Sequence, residues 1–130
     1  MHKQQKNRYM ATFRFQELQI WQEAIELTDA LPDVADAAEE KKKFKFAEQL
    51  RGAVMSISNN ISEGSGSFSN KDFAHFLNMS RRSIFEVVNI LTIFHRRKYI
   101  DSTFYLEQAD KLDVLSRKIT NFRKALISKH

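Results

Sequence analysis

Apolar residues recur along this chain at helical intervals, in four stretches divided by short polar breaks. From Phe15 to Ala38 the positions Leu18, Trp21, Ile25, Leu31, Val34 and Ala38 keep a spacing close to one helical turn or its multiples. Pro32 falls inside this stretch, where its missing N–H and its ring oppose a continuous helix. The apolar phase runs on past it, so the pattern predicts a kinked helix in preference to a break. The polar run Glu39–Lys43 predicts a turn. A second helix follows from Phe44 to Glu63, with Phe46, Leu50, Ala53, Val54, Ile57 and Ile61 on one stripe. The third runs from Asn70 to Lys98. Phe73, Phe76, Leu77, Ile84, Val87, Leu91 and Phe94 form its main face, and Met79, Phe85, Val88, Ile90 and Ile93 lie outside it. A helix apolar on more than one side is central in its fold or covered by another chain, so the third helix is expected to be the most buried. The fourth runs from Asp101 to Ile127 on Leu106, Ala109, Leu112, Leu115, Ile119, Phe122 and Leu126, with Asp101 or Ser102 as its cap.

Helices of ~20–28 residues are ~30–40 Å long. Joined by short connections, they fold as an all-α, antiparallel, up-down-up-down four-helix bundle. The bundle is placed at residues 15–128, after a basic, poorly ordered arm over residues 1–14. A length of 130 residues suits one domain, and only three glycines and one proline leave little room for strands and tight turns.

The connection between the second and third helices carries the clearest local signals. Gly64 is placed to end the second helix in the left-handed conformation. Ser69 is placed to cap the third, with Asp72 as the reciprocal partner of a capping box and Phe68 and Phe73 at the staple positions.

Charge is unevenly spread. The formal net charge is +5, yet residues 15–40 hold eight acids and no Lys or Arg. The remainder sets 21 Lys and Arg against eight acids, a balance of +13. Such polarity favours a polyanionic partner, or contact between oppositely charged faces of two copies. Absence of cysteine excludes disulfides and thiolate metal sites. No apolar run approaches the ~18 residues of a membrane span, and the N-terminal stretch lacks the apolar core of a signal peptide. The expectation is a cytoplasmic protein with no membrane contact.

Three blocks of residues are familiar in combination. Phe15, Leu18, Ile20, Trp21 and Ala24 fit F-x-x-L-x-[VI]-W-x-x-A. Gln49, Leu50, Arg51, Ala53, Ser56, Ile57, Asn60, Ile61, Glu63 and Gly64 fit QLR-x-A-x-x-SI-x-x-NI-x-EG. Ser69, Lys71, Phe73, Phe76 and Leu77, then Ser83 and Glu86, fit S-x-K-x-F-x-x-F-L followed by S-x-x-E. Together they resemble the four-helix-bundle proteins encoded in intervening sequences of bacterial 23S ribosomal RNA genes. The accessory variability determinant (Avd) of diversity-generating retroelements is similar and shares that fold. The resemblance implies a small helical subunit that assembles into a homopentamer, with no catalytic residue. On the Avd side it implies binding to a reverse transcriptase and to RNA through a basic surface.

The residues themselves offer no enzyme. His75 has no helical partner for a metal pair, the serines have no recognisable His/Asp partners, and no cofactor is implied. Asn60 and Glu63 read as a buried polar link between helices, satisfied by Arg51, Arg81 or Ser83. Arg96, Arg97 and Lys98 form one candidate phosphate-binding cluster, and Arg117, Lys118, Arg123 and Lys124 a second toward the opposite end of the fourth helix. Lys41, Lys42, Lys43 and Lys45 read as a solvated turn. The aromatic residues read as core, without the interleaving with cations that a base-stacking surface shows. The function expected is that of a non-enzymatic homo-oligomer binding nucleic acid, RNA before DNA, by counterion release. The alternative is a protein-protein adaptor that docks a partner such as a reverse transcriptase.

Overall fold

Pro32 splits the first of the four rods. A computed structural model describes residues 13–128; it opens with a 3-10 turn at Arg14–Glu17, followed by α1 (Gln19–Ala30), α2 (Pro32–Glu40), α3 (Phe44–Ser65), α4 (Asn70–Arg96) and α5 (Ser102–Ile127). The expected single kinked helix is therefore two, because Pro32 has no N–H to give the Thr28 carbonyl. Leu31 keeps right-handed angles between them (φ −98°, ψ −8°), and the apolar face continues through the buried Leu27, Leu31, Val34, Ala35 and Ala38. The arm assigned to residues 1–14 lies outside the described residues except for Phe13 and Arg14.

The described residues form an all-α, antiparallel four-helix bundle. The α1–α2 rod and α4 both flank α3, and α5 packs between α4 and α1 to close the ring. The core runs through its middle on Leu50, Ile57, Ile61, Leu77, Ile84, Leu91, Leu112, Leu115 and Ile119, each at most 1% exposed. The second apolar row of α4 is mostly taken inside: Ile90 is buried, Met79, Val88 and Ile93 are half-buried, and Phe85 alone of the five is exposed. Nor is α4 more buried than its neighbour, since nine of 22 residues in α3 are buried against ten of 27 in α4.

The α3–α4 connection differs from its sequence reading in two places. Gly64 does not end α3. It lies inside it, with no positive φ, and the C-cap is Gly66 at φ −83°. What Gly64 provides is closeness: a Cβ there would stand 2.6 Å from Phe76 Cβ and 2.9 Å from Phe73 Cδ1. The staple is also absent, because Phe68 is fully exposed while Phe73 packs edge-on against Phe122 at 5.6 Å. Ser69 does cap α4, accepting from the Asp72 N–H at 3.1 Å, and Asp101 caps α5, accepting from the Phe104 N–H at 2.8 Å. Among the described residues only this forward half of the Ser69–Asp72 box forms.

Candidate nucleic-acid interface

Two helices end in the same way at the same end of the bundle. In α2 the Lys42 N–H bonds the Glu39 carbonyl and the Lys43 N–H the Ala38 carbonyl, both at 2.8 Å. In α4 the Lys98 N–H bonds the His95 carbonyl at 3.0 Å and the Tyr99 N–H the Phe94 carbonyl at 2.8 Å. Each pair is a Schellman closure, which requires a left-handed residue just past the helix and usually employs glycine. Here that residue is lysine: Lys42 has φ 62° and Lys98 φ 64°. A side chain in this conformation costs about 1–2 kcal/mol.

Antiparallel packing sets these two turns side by side. The Lys41 ammonium lies 5.3 Å from the centre of the Tyr99 ring, and the Arg97 guanidinium 5.6 Å from that of Phe46. Phe46 in turn packs edge-on against Phe94, as does Tyr99. Seven cations thus gather at one end, namely Lys41, Lys42, Lys43 and Lys45 with Arg96, Arg97 and Lys98. The acids that flank these segments in sequence are Glu39, Glu40, Glu48 and Asp101; Glu39 is engaged by Arg51, and Asp101 caps α5. Read along the chain, Lys41–Lys45 is an isolated turn and the aromatics are pure core. The signal that joins them is topological, since the ends of the first and third rods must meet in an up-down-up-down bundle.

The cations of α5 are dispersed and largely engaged. Lys118 donates to Glu23 of α1 at 2.5 Å, and Arg123 donates its Nε–H to the Ala74 carbonyl of α4 at 3.1 Å. Both are half-buried and act as inter-helix ties. Arg117 is exposed but pairs with Asp113 one turn away at 3.0 Å, and Lys124 is exposed. These four do not form one surface with Arg96–Lys98.

The polar block of α3 separates in the same manner. Asn60 is buried and donates to the Ser56 carbonyl and hydroxyl at 2.9 and 3.0 Å, while Ser83 of α4 donates to the same hydroxyl at 2.8 Å. The link between α3 and α4 therefore exists, but it passes through Ser56. Glu63 takes no part and is exposed, as is Glu86. Arg51 lies more than two turns from Asn60 along α3 and points to α2, donating to Asp36 at 2.7 Å and Glu39 at 2.9 Å. The hydrogen bonds it donates, to Glu39 first and then to Asp36, raise its guanidinium above even the usual arginine range. Arg81 spreads its guanidinium over the Phe85 ring at 4.8 Å. Trp21 is half-buried and meets Phe15 edge-on at 5.2 Å.

Among the described residues no three His, Asp or Glu side chains converge as a metal site, and no helix is long and apolar enough to cross a membrane. Helical ties inside and cations gathered at one end describe a small antiparallel bundle protein with a polarised surface. Residues 16–121 match the model of the 23S rRNA-intervening sequence protein, and the chain belongs to that family. It is similar in structure to a protein of unknown function from the S23 ribosomal protein family of Bacteroides thetaiotaomicron VPI-5482. The TM-score is 0.76 at 21% identity, over 81% of this chain and 98% of that one, a likeness that bears on the fold alone. Among curated proteins none matches the sequence.

Proposed function

We propose that this chain is a non-enzymatic, self-associating protein that binds nucleic acid, RNA before DNA, at its Lys41–Lys45 and Arg96–Lys98 end. The observation that carries the reading is the convergence of seven cations from two turns, two of them held in a backbone conformation that costs stability. Their flexible side chains suit phosphate, and each phosphate neutralised releases counterions and strengthens binding as salt falls. The acidic α1–α2 rod would turn its exposed Glu26, Asp29 and Asp33 away from the polyanion and so fix which part of the molecule faces it.

Self-association is supported by the outer face of α4 and α5. Phe85 is 57% exposed there beside a groove of about 610 Å³ that also takes in Arg81, Val88, Ala109 and Thr120, and Leu106 is 62% exposed on α5. The same groove favours a second reading, in which it docks a partner protein such as a reverse transcriptase and RNA contact is secondary.

Binding of labelled RNA across a salt series tests the first reading. Replacing Lys41, Lys42 and Lys45, or Arg96, Arg97 and Lys98, by Gln should weaken binding and flatten the dependence of log affinity on log salt. The slope should fall by ~0.7 for each single-strand phosphate that is no longer neutralised. Gln at Arg117 and Lys124 should change little. If the two distal substitutions matter as much as the end cluster, the interface lies elsewhere. If no RNA binds at ~50 mM salt, where phosphate contacts are strongest, the docking reading is the better one.

A further inference from the structure

Phe44 opens α3 between Lys43 and Lys45, and the residue is 57% exposed. It is not among the residues that pack against the buried core, as Phe46, two residues on, does. A lone exposed apolar residue is ordinary; the neighbourhood makes this one different. Of the other aromatic rings at the basic end, Phe94 is buried, Phe104 packs against the core, and His95 and Tyr105 stack on each other at 4.8 Å. Arg97 lies over Phe46 and Lys41 over Tyr99, whereas among the described residues no cation lies over Phe44. The end therefore offers cations at its rim and one uncovered flat ring among them.

We propose that this end takes an unpaired run of nucleotides, with phosphates on the lysines and arginines and one base stacked on Phe44. The inference rests on the nucleic-acid reading above and adds the strand state of the ligand. A duplex presents phosphates but keeps its base faces stacked against one another, so it can satisfy the cations and not the ring. A single strand or a loop satisfies both, and stacking of this kind tolerates any base because every base has a π-face.

The test compares a labelled single-stranded RNA of about twelve nucleotides, within the range such sites occupy, with the same strand annealed to its complement. The protein is the full chain, as parent, Phe44→Leu and Phe44→Trp, each checked by melting. The single strand should bind more tightly than the duplex. Phe44→Leu should weaken it roughly 5–150-fold, the worth of one stacked base, and leave duplex affinity and the single-strand salt slope unchanged. Phe44→Trp should restore the affinity, and its added fluorescence should be quenched by the single strand but not by the duplex. Equal binding of the two probes, or a loss in Phe44→Leu that is the same for both, overturns the proposal and leaves the electrostatic interface standing. Absence of binding to either probe overturns it together with the reading on which it rests.

Discussion

At Gly64, a single hydrogen in place of a methyl group lets α3 approach α4. Gly64→Ala would force its Cβ against the Cβ of Phe76, an atom fixed to the backbone, so the helices must separate; urea titration should show a loss of about 1–3 kcal/mol. Gly52 is the contrast. Nothing lies within 4 Å of an added Cβ, it sits in the exposed interior of α3, and Gly52→Ala should raise stability by about 0.5–1 kcal/mol in the same titration. The sequence pointed to Gly64 as a left-handed cap, because a glycine kept for closeness and one kept for a left-handed turn look alike without the partner helix. The lysines at 42 and 98 make the complementary point. Lys42→Gly and Lys98→Gly should each stabilise the fold by about 1 kcal/mol by relieving the left-handed strain. Both should weaken RNA binding. A gain in stability with affinity unchanged would detach the strain from function.

Between elements, the polar contacts divide into seams with different partners. The α3–α4 seam is made by Asn60, Ser56 and Ser83, with the Ser80 hydroxyl donating to the Ile57 carbonyl at 2.8 Å in full burial. Asn60→Ala removes a buried donor that serves its own helix and the shared hydroxyl, and should cost about 1–2 kcal/mol. Glu63→Ala, at an exposed site, should stay within about 0.5 kcal/mol of the parent. A Glu63 effect as large as that of Asn60 would return the carboxylate to the seam. The α2–α3 seam rests on Arg51. Its folded-state pKa is raised, so the arginine's own titration removes what its pairs contribute only in strong base; from about pH 6 to 9 the arginine should bring no change in melting temperature. The four rods, their order and most boundaries were legible from apolar spacing, since a stripe at helical period needs no partner to be seen; the break at Pro32 was not, because the stripe runs through it. The seams were less so. Asn60, Glu63 and Arg51 share one sequence block, and only the facing helix decides which of them turns inward.

For the whole molecule, the charge imbalance read from the sequence becomes a direction in space, with acids along the α1–α2 rod and cations at one end. The gathering of that end from residues more than fifty positions apart was not visible in local spacing. Light scattering at micromolar concentration should find an oligomer, and Phe85→Glu on the α4–α5 face should shift it toward monomer if that face is the contact. One more property follows from the division at Pro32. The nine residues of α2 pack on α3 and α1 alone, whereas α1, α3, α4 and α5 close the ring without it. Opening α2 exposes little of the shared core, so it should be the first element to exchange its amide hydrogens for deuterium, well before α3 and at less than the global unfolding free energy. The lysine-rich turn rides on that element. One half of the basic end would then be mounted on a hinged leaf and the other half on a fixed post, and bound RNA, by bridging the two, would slow exchange in α2 far more than in α4.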